Sequence, residues 1–150
     1  MGWMSDLIGS RRREAAVPPP PPRLRDLQIA TAALLLEVSG ADHDRGKREK
    51  KAILRSLQTA FGLDEAETVD VVAAADRRTG DAVSIYEFSH LVDRSFRADQ
   101  KALVIELAFR VAFADERLAG EEEHLIRRLA TLLHVSHDAF IAAKLRARAP

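Results

Sequence analysis

Two pairs of carboxylates with identical spacing are the residues of this sequence best suited to chemistry. Asp42 precedes Glu49 by seven residues, and Asp115 precedes Glu122 by the same seven residues. A shift of 73 residues lays one pair on the other, together with much of the apolar pattern around them. We therefore predict a duplicated unit, in which an apolar helix runs into an aspartate, a short polar loop follows, and a second helix opens with glutamate.

The helical pattern places these carboxylates at one end of a helix–helix seam. Asp42 continues the apolar stripe of its helix, and Glu49 lies four residues before Ile53, at the start of the buried stripe of the next helix. Charge near a seam loses hydration, and an aspartate at a helix C-terminus faces the negative end of the helix dipole, at a cost of ~0.3–1 kcal/mol. A bound cation would relieve both effects, and carboxylate ligands suit Ca²⁺, Mg²⁺ or Mn²⁺. The candidate metal ligands are Asp42, Asp44, Glu49, Asp115 and Glu122.

The same residues also have an interpretation without a metal. Aspartate before a loop and glutamate in a first helical turn are ordinary capping choices, and the positive end of the dipole stabilises Glu49 and Glu122. Structural ion pairing is therefore the alternative to a cation site. The basic neighbours that could neutralise the acids are Arg45, Lys47, Lys50, Arg117 and Arg127. The loops are not EF-hands, because the acid comes too early and Lys47 stands where that motif needs glycine.

Composition excludes several classes of function. The chain has 23 Lys and Arg against 23 Asp and Glu, so its overall charge does not favour nucleic acid as the main partner. It has no Cys, which excludes disulfides, thiolate metal sites and a thiol nucleophile. No apolar run reaches the roughly 18–20 residues that a membrane span requires. We expect a cytoplasmic, non-enzymatic protein.

The elements that must position the carboxylates are helices. No segment alternates like a strand, and the apolar periodicity predicts an all-α compact bundle of about seven helices built as two similar halves. Local signals mark helix ends, with Gly62 after one helix and caps at Asp64, Asp99 and Ser136. The first helix is expected over residues 24–41, and the fifth is expected to bury Leu103, Leu107, Val111 and Phe113. Residues 1–23, with a proline run from 18 to 22, are expected to be a disordered Pro-rich arm, and residues 24–150 the helical domain.

Two histidines late in the chain, His134 and His137, flank the predicted turn between the last two helices. They could bind a transition metal, but capping the preceding helix is the simpler role for His134.

The motifs together resemble those of the TerB-like family, named for tellurite resistance proteins. The resemblance rests on Leu34–Val38 with Asp42 and Glu49, Phe61–Leu63, Tyr86 and Phe88 before Leu91, and Val111–Asp115 with Glu122–Ala130. It implies an all-helical bundle with internal two-fold similarity. It also implies metal sensing or binding at Asp42, Glu49, Asp115 and Glu122, in concert with membrane-associated stress-response complexes. The second unit, where Glu121, Glu122 and Glu123 stand together, is the stronger candidate, because Lys47 and Arg48 make the first unit unusually basic.

The sequence thus predicts a non-enzymatic TerB-like module. We expect it to bind a divalent cation at its paired Asp/Glu loops and to act in metal or stress response through protein partners. The alternative is a metal-free helical scaffold for protein–protein interaction.

Overall fold

A computed structural model describes residues 23–40, 47–79, 84–114 and 120–149 of the chain. These ranges form seven α-helices and contain no strand, which confirms the all-α prediction. The helices are α1 (Leu24–Ser39), α2 (Lys47–Phe61), α3 (Glu65–Asp76), α4 (Ser84–Ser95), α5 (Ala98–Phe113), α6 (Gly120–Leu132) and α7 (His137–Arg148). The Pro-rich arm lies outside the described residues, apart from Arg23, and the internal duplication stays a prediction.

Two central helices, α1 and α5, carry most of the core. Every residue of α1 from Leu27 to Leu36 is buried. The helix packs mainly against α3 and α4, and it also contacts α2, α5 and α6. The α5 helix packs mainly against α7, with further contacts to α1, α2 and α6. Both predicted acidic loops therefore follow a helix that is held by several neighbours.

Most of the helix ends follow from local signals in the sequence. Gly62 adopts a φ of 65°, the left-handed conformation that favours glycine after a helix. Asp64 Oδ1 accepts from the Glu67 amide at 2.8 Å, and the Asp64 amide donates to Glu67 Oε1 at 3.1 Å. Ser136 Oγ accepts from the Ala139 amide at 3.2 Å. These contacts confirm the predicted ends of α2, α3 and α7.

The start of α5 differs from the prediction, and the role assigned to Asp99 was wrong. The helix begins at Ala98, so Asp99 lies inside the first turn and Arg97 occupies the N-cap position. The Arg97 amide donates to Gln100 Oε1 at 2.8 Å. Asp99 instead binds the Arg97 side chain, with Oδ1 3.1 Å from Nε. The glutamine satisfies the first amide, so the aspartate is not needed as a cap.

The buried face of α5 is also wider than predicted and is rotated. Leu107 and Val111 are buried as expected, but Leu103 is 39% exposed, so that part of the prediction is wrong. Val104 and Phe109, which the stripe omitted, are 3% and 0% exposed. The reason is that α5 contacts α7 on one side and α1 and α2 on another. A helix held between several neighbours buries more than one stripe.

The first helix ends slightly earlier than predicted, at Ser39, with Gly40 as its C-cap. No helix in the described ranges is long and apolar enough to cross a membrane. The expected cytoplasmic location stays a prediction.

Candidate functional site

The structure describes two of the five predicted metal ligands. Glu49 is the third residue of α2, and Glu122 is the third residue of α6. Asp42, Asp44 and Asp115 lie outside the described residues. The two glutamates therefore carry what can be said of the site's geometry.

Both glutamates are buried in the protein. Glu49 is 0% exposed and Glu122 is 1% exposed. The isoleucines one turn further on, Ile53 and Ile126, are 1% and 0% exposed. Since positions i and i+4 share a helix face, each glutamate begins the buried stripe of its helix, as predicted.

Burial of a glutamate is unusual and unfavourable unless something compensates for it. Glutamate is almost never fully buried without a partner, and the desolvation penalty of a buried ion is several kcal/mol. Because Glu49 and Glu122 each lie in the first turn of a helix, the positive end of the helix dipole offsets part of that penalty. Positive charge or further hydrogen-bond donors must supply the rest.

The three consecutive glutamates of α6 have different surroundings, and the preference for the second unit as a metal site stays a prediction. Only Glu122 points into the protein, whereas Glu121 is exposed. Glu123 is half-buried and its Oε1 lies 2.7 Å from Lys144 Nζ and 3.7 Å from Arg127 Nη2. Successive helical residues point in different directions, which separates the three side chains.

Arg127, one of the predicted neutralising residues, is engaged elsewhere. Besides its contact with Glu123, its guanidinium carbon lies 5.0 Å from the centre of the Phe140 ring. The hydrogen bond from Lys144, with the charges of Lys144 and Arg127, lowers the pKa of Glu123 despite its partial burial. This cluster joins α6 to α7.

The available ligands are hard oxygen donors. Within the described ranges, no three histidine, aspartate or glutamate side chains form a group that could hold a metal ion. A site in either unit would therefore need residues outside the described ranges, such as the aspartates predicted from the sequence. A set of carboxylates suits Ca²⁺, Mg²⁺ or Mn²⁺ better than softer transition metals. The metal site stays a prediction.

One of the two histidines at the α6–α7 turn, His134, has a structural role. His134 follows α6 with a φ of 59°, and its amide donates to the Thr131 carbonyl at 3.1 Å. Its ring Nδ1 lies 3.0 Å from Asp93 Oδ1. Lys101 Nζ donates to the same oxygen at 2.7 Å. Burial would raise the pKa of Asp93, but the two hydrogen bonds and the nearby charges outweigh it and lower the pKa.

A third ion cluster joins α5 to α7. Glu106 Oε2 accepts from Arg110 at 3.0 Å, and Glu106 Oε1 accepts from Arg146 at 2.6 Å. Burial acts to raise the pKa of Glu106, but the two guanidinium groups outweigh it and lower the pKa. The sequence analysis missed this cluster and the cluster around Asp93. The only local signal was the i, i+4 spacing of Glu106 and Arg110, which indicates an ion pair on one helix face.

The comparison with known protein families gives a match that covers most of the chain. The chain matches the family model described as "Tellurite resistance protein TerB" over residues 28–145. The match begins within α1 and ends within α7, so it includes both buried glutamates. No curated protein and no solved structure matches the chain significantly. Because the family model covers more than half of the chain and agrees with the helical fold, this chain belongs to the TerB family.

Proposed function

We propose that this TerB-family protein is a non-catalytic module that binds divalent cations at its two acidic units. Glu49 would serve one site with Asp42 and Asp44, and Glu122 would serve the other with Asp115. Ca²⁺, Mg²⁺ and Mn²⁺ are the ions that fit these donors. In this proposal the cation-bound state acts in metal or stress response through protein partners, which include membrane-associated complexes.

The observation that supports the proposal is the burial of two equivalent carboxylates. Glu49 and Glu122 are each the third residue of a helix, each comes seven residues after an aspartate in the sequence, and each is almost fully inaccessible to solvent. One buried glutamate at a helix start could be a packing solution of that helix alone. Two at matching positions favour a shared role, and a cation is a partner that carboxylates of this kind would bind in both units.

In each unit the aspartate follows the first helix in the sequence, and the second helix carries the glutamate. A cation held by both would connect the end of α1 to the start of α2, and the end of α5 to the start of α6. Binding would therefore stabilise the folded arrangement of each unit. No described residue is assigned a catalytic role in this proposal.

Thermal unfolding of the full chain tests the proposal. The melting temperature is measured in EDTA and then with millimolar Ca²⁺, Mg²⁺ or Mn²⁺. An ion at ~100 times its dissociation constant adds about 2.7 kcal/mol to the free energy of unfolding. In a domain of this size that corresponds to a rise of several degrees in melting temperature. The variant Glu122→Gln should lose most of the rise in melting temperature that is due to an ion bound at the Asp115–Glu122 unit.

The exposed neighbour Glu121 provides the matched control. Glu121→Gln removes the same charge one position away, and we expect it to keep the full response to the ion. If the wild-type chain shows no shift with any of the three ions, or if both variants lose the response equally, the cation proposal fails.

The same variants distinguish the metal-free scaffold. Under the cation proposal, an added ion raises the melting temperature of the wild type and raises that of Glu122→Gln by less. Under the scaffold alternative, the carboxylate is held by basic residues. The substitution then lowers stability in EDTA, because it leaves a positive partner without its anion, and the ions have no effect.

A further inference from the structure

A basic cleft opens where α2, α5 and α7 meet, away from the α2–α3 side of the molecule. Its volume is about 470 Å³, which is within the size of small-molecule sites, about 300–1,000 Å³. The α2 helix contributes Lys51, Arg55 and Ser56 to the lining, and α5 contributes Arg110 and Phe113. No carboxylate belongs to the described lining of the cleft.

Three basic side chains line the cleft, and two of them, Lys51 and Arg55, have no acidic partner in the described part of the chain. Lys51 and Arg55 are exposed and lie one turn apart on the same face of α2. They take part in none of the ion pairs formed between described residues. Like charges at positions i and i+4 repel each other, and an anion between them would remove that repulsion.

One side of the Arg110 guanidinium group forms hydrogen bonds within the protein. Its Nε and Nη2 donate to Glu106 Oε2, and Nη2 also donates to the Arg146 carbonyl at 3.3 Å. Arg110 lines the cleft, and no described residue accepts a hydrogen bond from its Nη1. Glu106 is in turn neutralised by Arg110 and Arg146, which limits its repulsion of an anion.

A hydroxyl in the lining of the cleft adds a further polar group. Ser56 is only 7% exposed, lines the cleft, and forms no hydrogen bond with any described residue. A helical Ser or Thr commonly bonds the carbonyl four residues earlier, as Thr31 does to Leu27 at 2.8 Å. The Ser56 hydroxyl is therefore able to donate to a ligand oxygen in the cleft.

We propose that this cleft binds a phosphate monoester carried on an apolar group. Lys51, Arg55 and Nη1 of Arg110 would surround the phosphate, and the Ser56 hydroxyl would donate to it. Arginine and lysine together suit the dense negative charge of a phosphate, for which the guanidinium supplies paired donors. The half-buried Phe113 ring offers the apolar surface beside it. The monoester is either a soluble molecule or the headgroup of phosphatidic acid.

Nuclear magnetic resonance titration of the full chain with phenyl phosphate, in a buffer free of divalent cations, tests the proposal. We expect saturable shifts of backbone amides around the cleft, at Ala52, Ser56, Phe113 and Ala147. Benzoate, a monoanion on the same ring, should bind much more weakly because it carries less charge and fewer acceptor oxygens. If phenyl phosphate produces no saturable shift, or shifts amides elsewhere, the proposal is overturned.

Neighbouring lysines on α2 supply a matched pair of variants. Lys51→Gln and Arg55→Gln should each weaken phenyl phosphate binding by about tenfold or more, since each removes a charge-assisted hydrogen bond. Lys50→Gln removes the same charge one residue away, where the side chain lines the groove between α2 and α3. We expect that variant to bind phenyl phosphate like the wild type. If Lys50→Gln and Lys51→Gln lose the same affinity, the effect comes from the net charge of the protein, and the proposed binding site in the cleft is refuted.

Two further arms identify the source of the phosphate and separate this inference from the cation proposal. Co-sedimentation compares phosphatidylcholine vesicles with and without phosphatidic acid. Retention that depends on phosphatidic acid and on Arg55 assigns a lipid headgroup, whereas phenyl phosphate binding without retention assigns a soluble monoester. Vesicle binding without phenyl phosphate binding contradicts the cleft. Glu122→Gln should bind phenyl phosphate like the wild type, so either proposal can fail without the other.

Discussion

The rotational setting of α5 can be tested by two identical substitutions one turn apart. Leu103 and Leu107 fall on the same predicted apolar stripe, yet Leu103 is 39% exposed and Leu107 is 4% exposed. Leu107→Ala removes a side chain from the closed core, which costs about 3 kcal/mol through lost burial and the cavity left behind. Leu103→Ala removes a partly hydrated side chain, and we expect a loss of about 1 kcal/mol. Because both changes are Leu→Ala on one helix, helix propensity cancels.

Urea unfolding of the full chain, followed by circular dichroism in EDTA, measures both losses. The dependence of the unfolding free energy on urea should be unchanged, so that the midpoints report stability directly. The difference of about 2 kcal/mol between the variants corresponds to roughly 4–16 °C in melting temperature. Equal losses would mean that Leu103 is as buried as Leu107. That result would refute the setting of α5 described above and, with it, the placement of Arg110 in the basic cleft.

Two further predictions concern the Asp93 cluster and the glycines. Hydrogen bonds from Lys101 and His134 overcome the effect of burial and hold the pKa of Asp93 below 3.8. Its stabilising contribution is therefore complete above that pH and is lost as pH falls through the lowered pKa. Asp93→Asn should be less stable than wild type in urea at neutral pH and should converge with it in acid; a gap that widens in acid contradicts this. Gly62→Ala should lower the unfolding free energy by ~1–2 kcal/mol, because its φ of 65° strains any residue with a Cβ although no atom lies within 4 Å of that position. Gly120→Ala, with the same open space and no positive φ, should be neutral or stabilise by up to ~1 kcal/mol in the same assay, and equal losses in the two would exclude backbone strain as the cause.

The sequence determined the elements whose signals act over a few residues. The N-cap at Asp64, the glycine after α2 and the cap at Ser136 are all contacts within three or four positions, so they could be predicted without a fold. The burial of Glu49 and Glu122 could also be predicted, because each is spaced four residues from an isoleucine of the buried stripe. The family resemblance rested on the same local motifs.

Only the tertiary structure decided which faces meet. Asp93 and His134 are 41 positions apart, and Glu106 and Arg146 are 40 apart, so no periodicity links them. The basic cleft likewise needs α2, α5 and α7 side by side. Apolar spacing shows that a helix has a buried face, but the width and rotation of that face depend on how many neighbours contact it. For that reason Leu103 was misplaced on α5 while Leu107, one turn away, was correct.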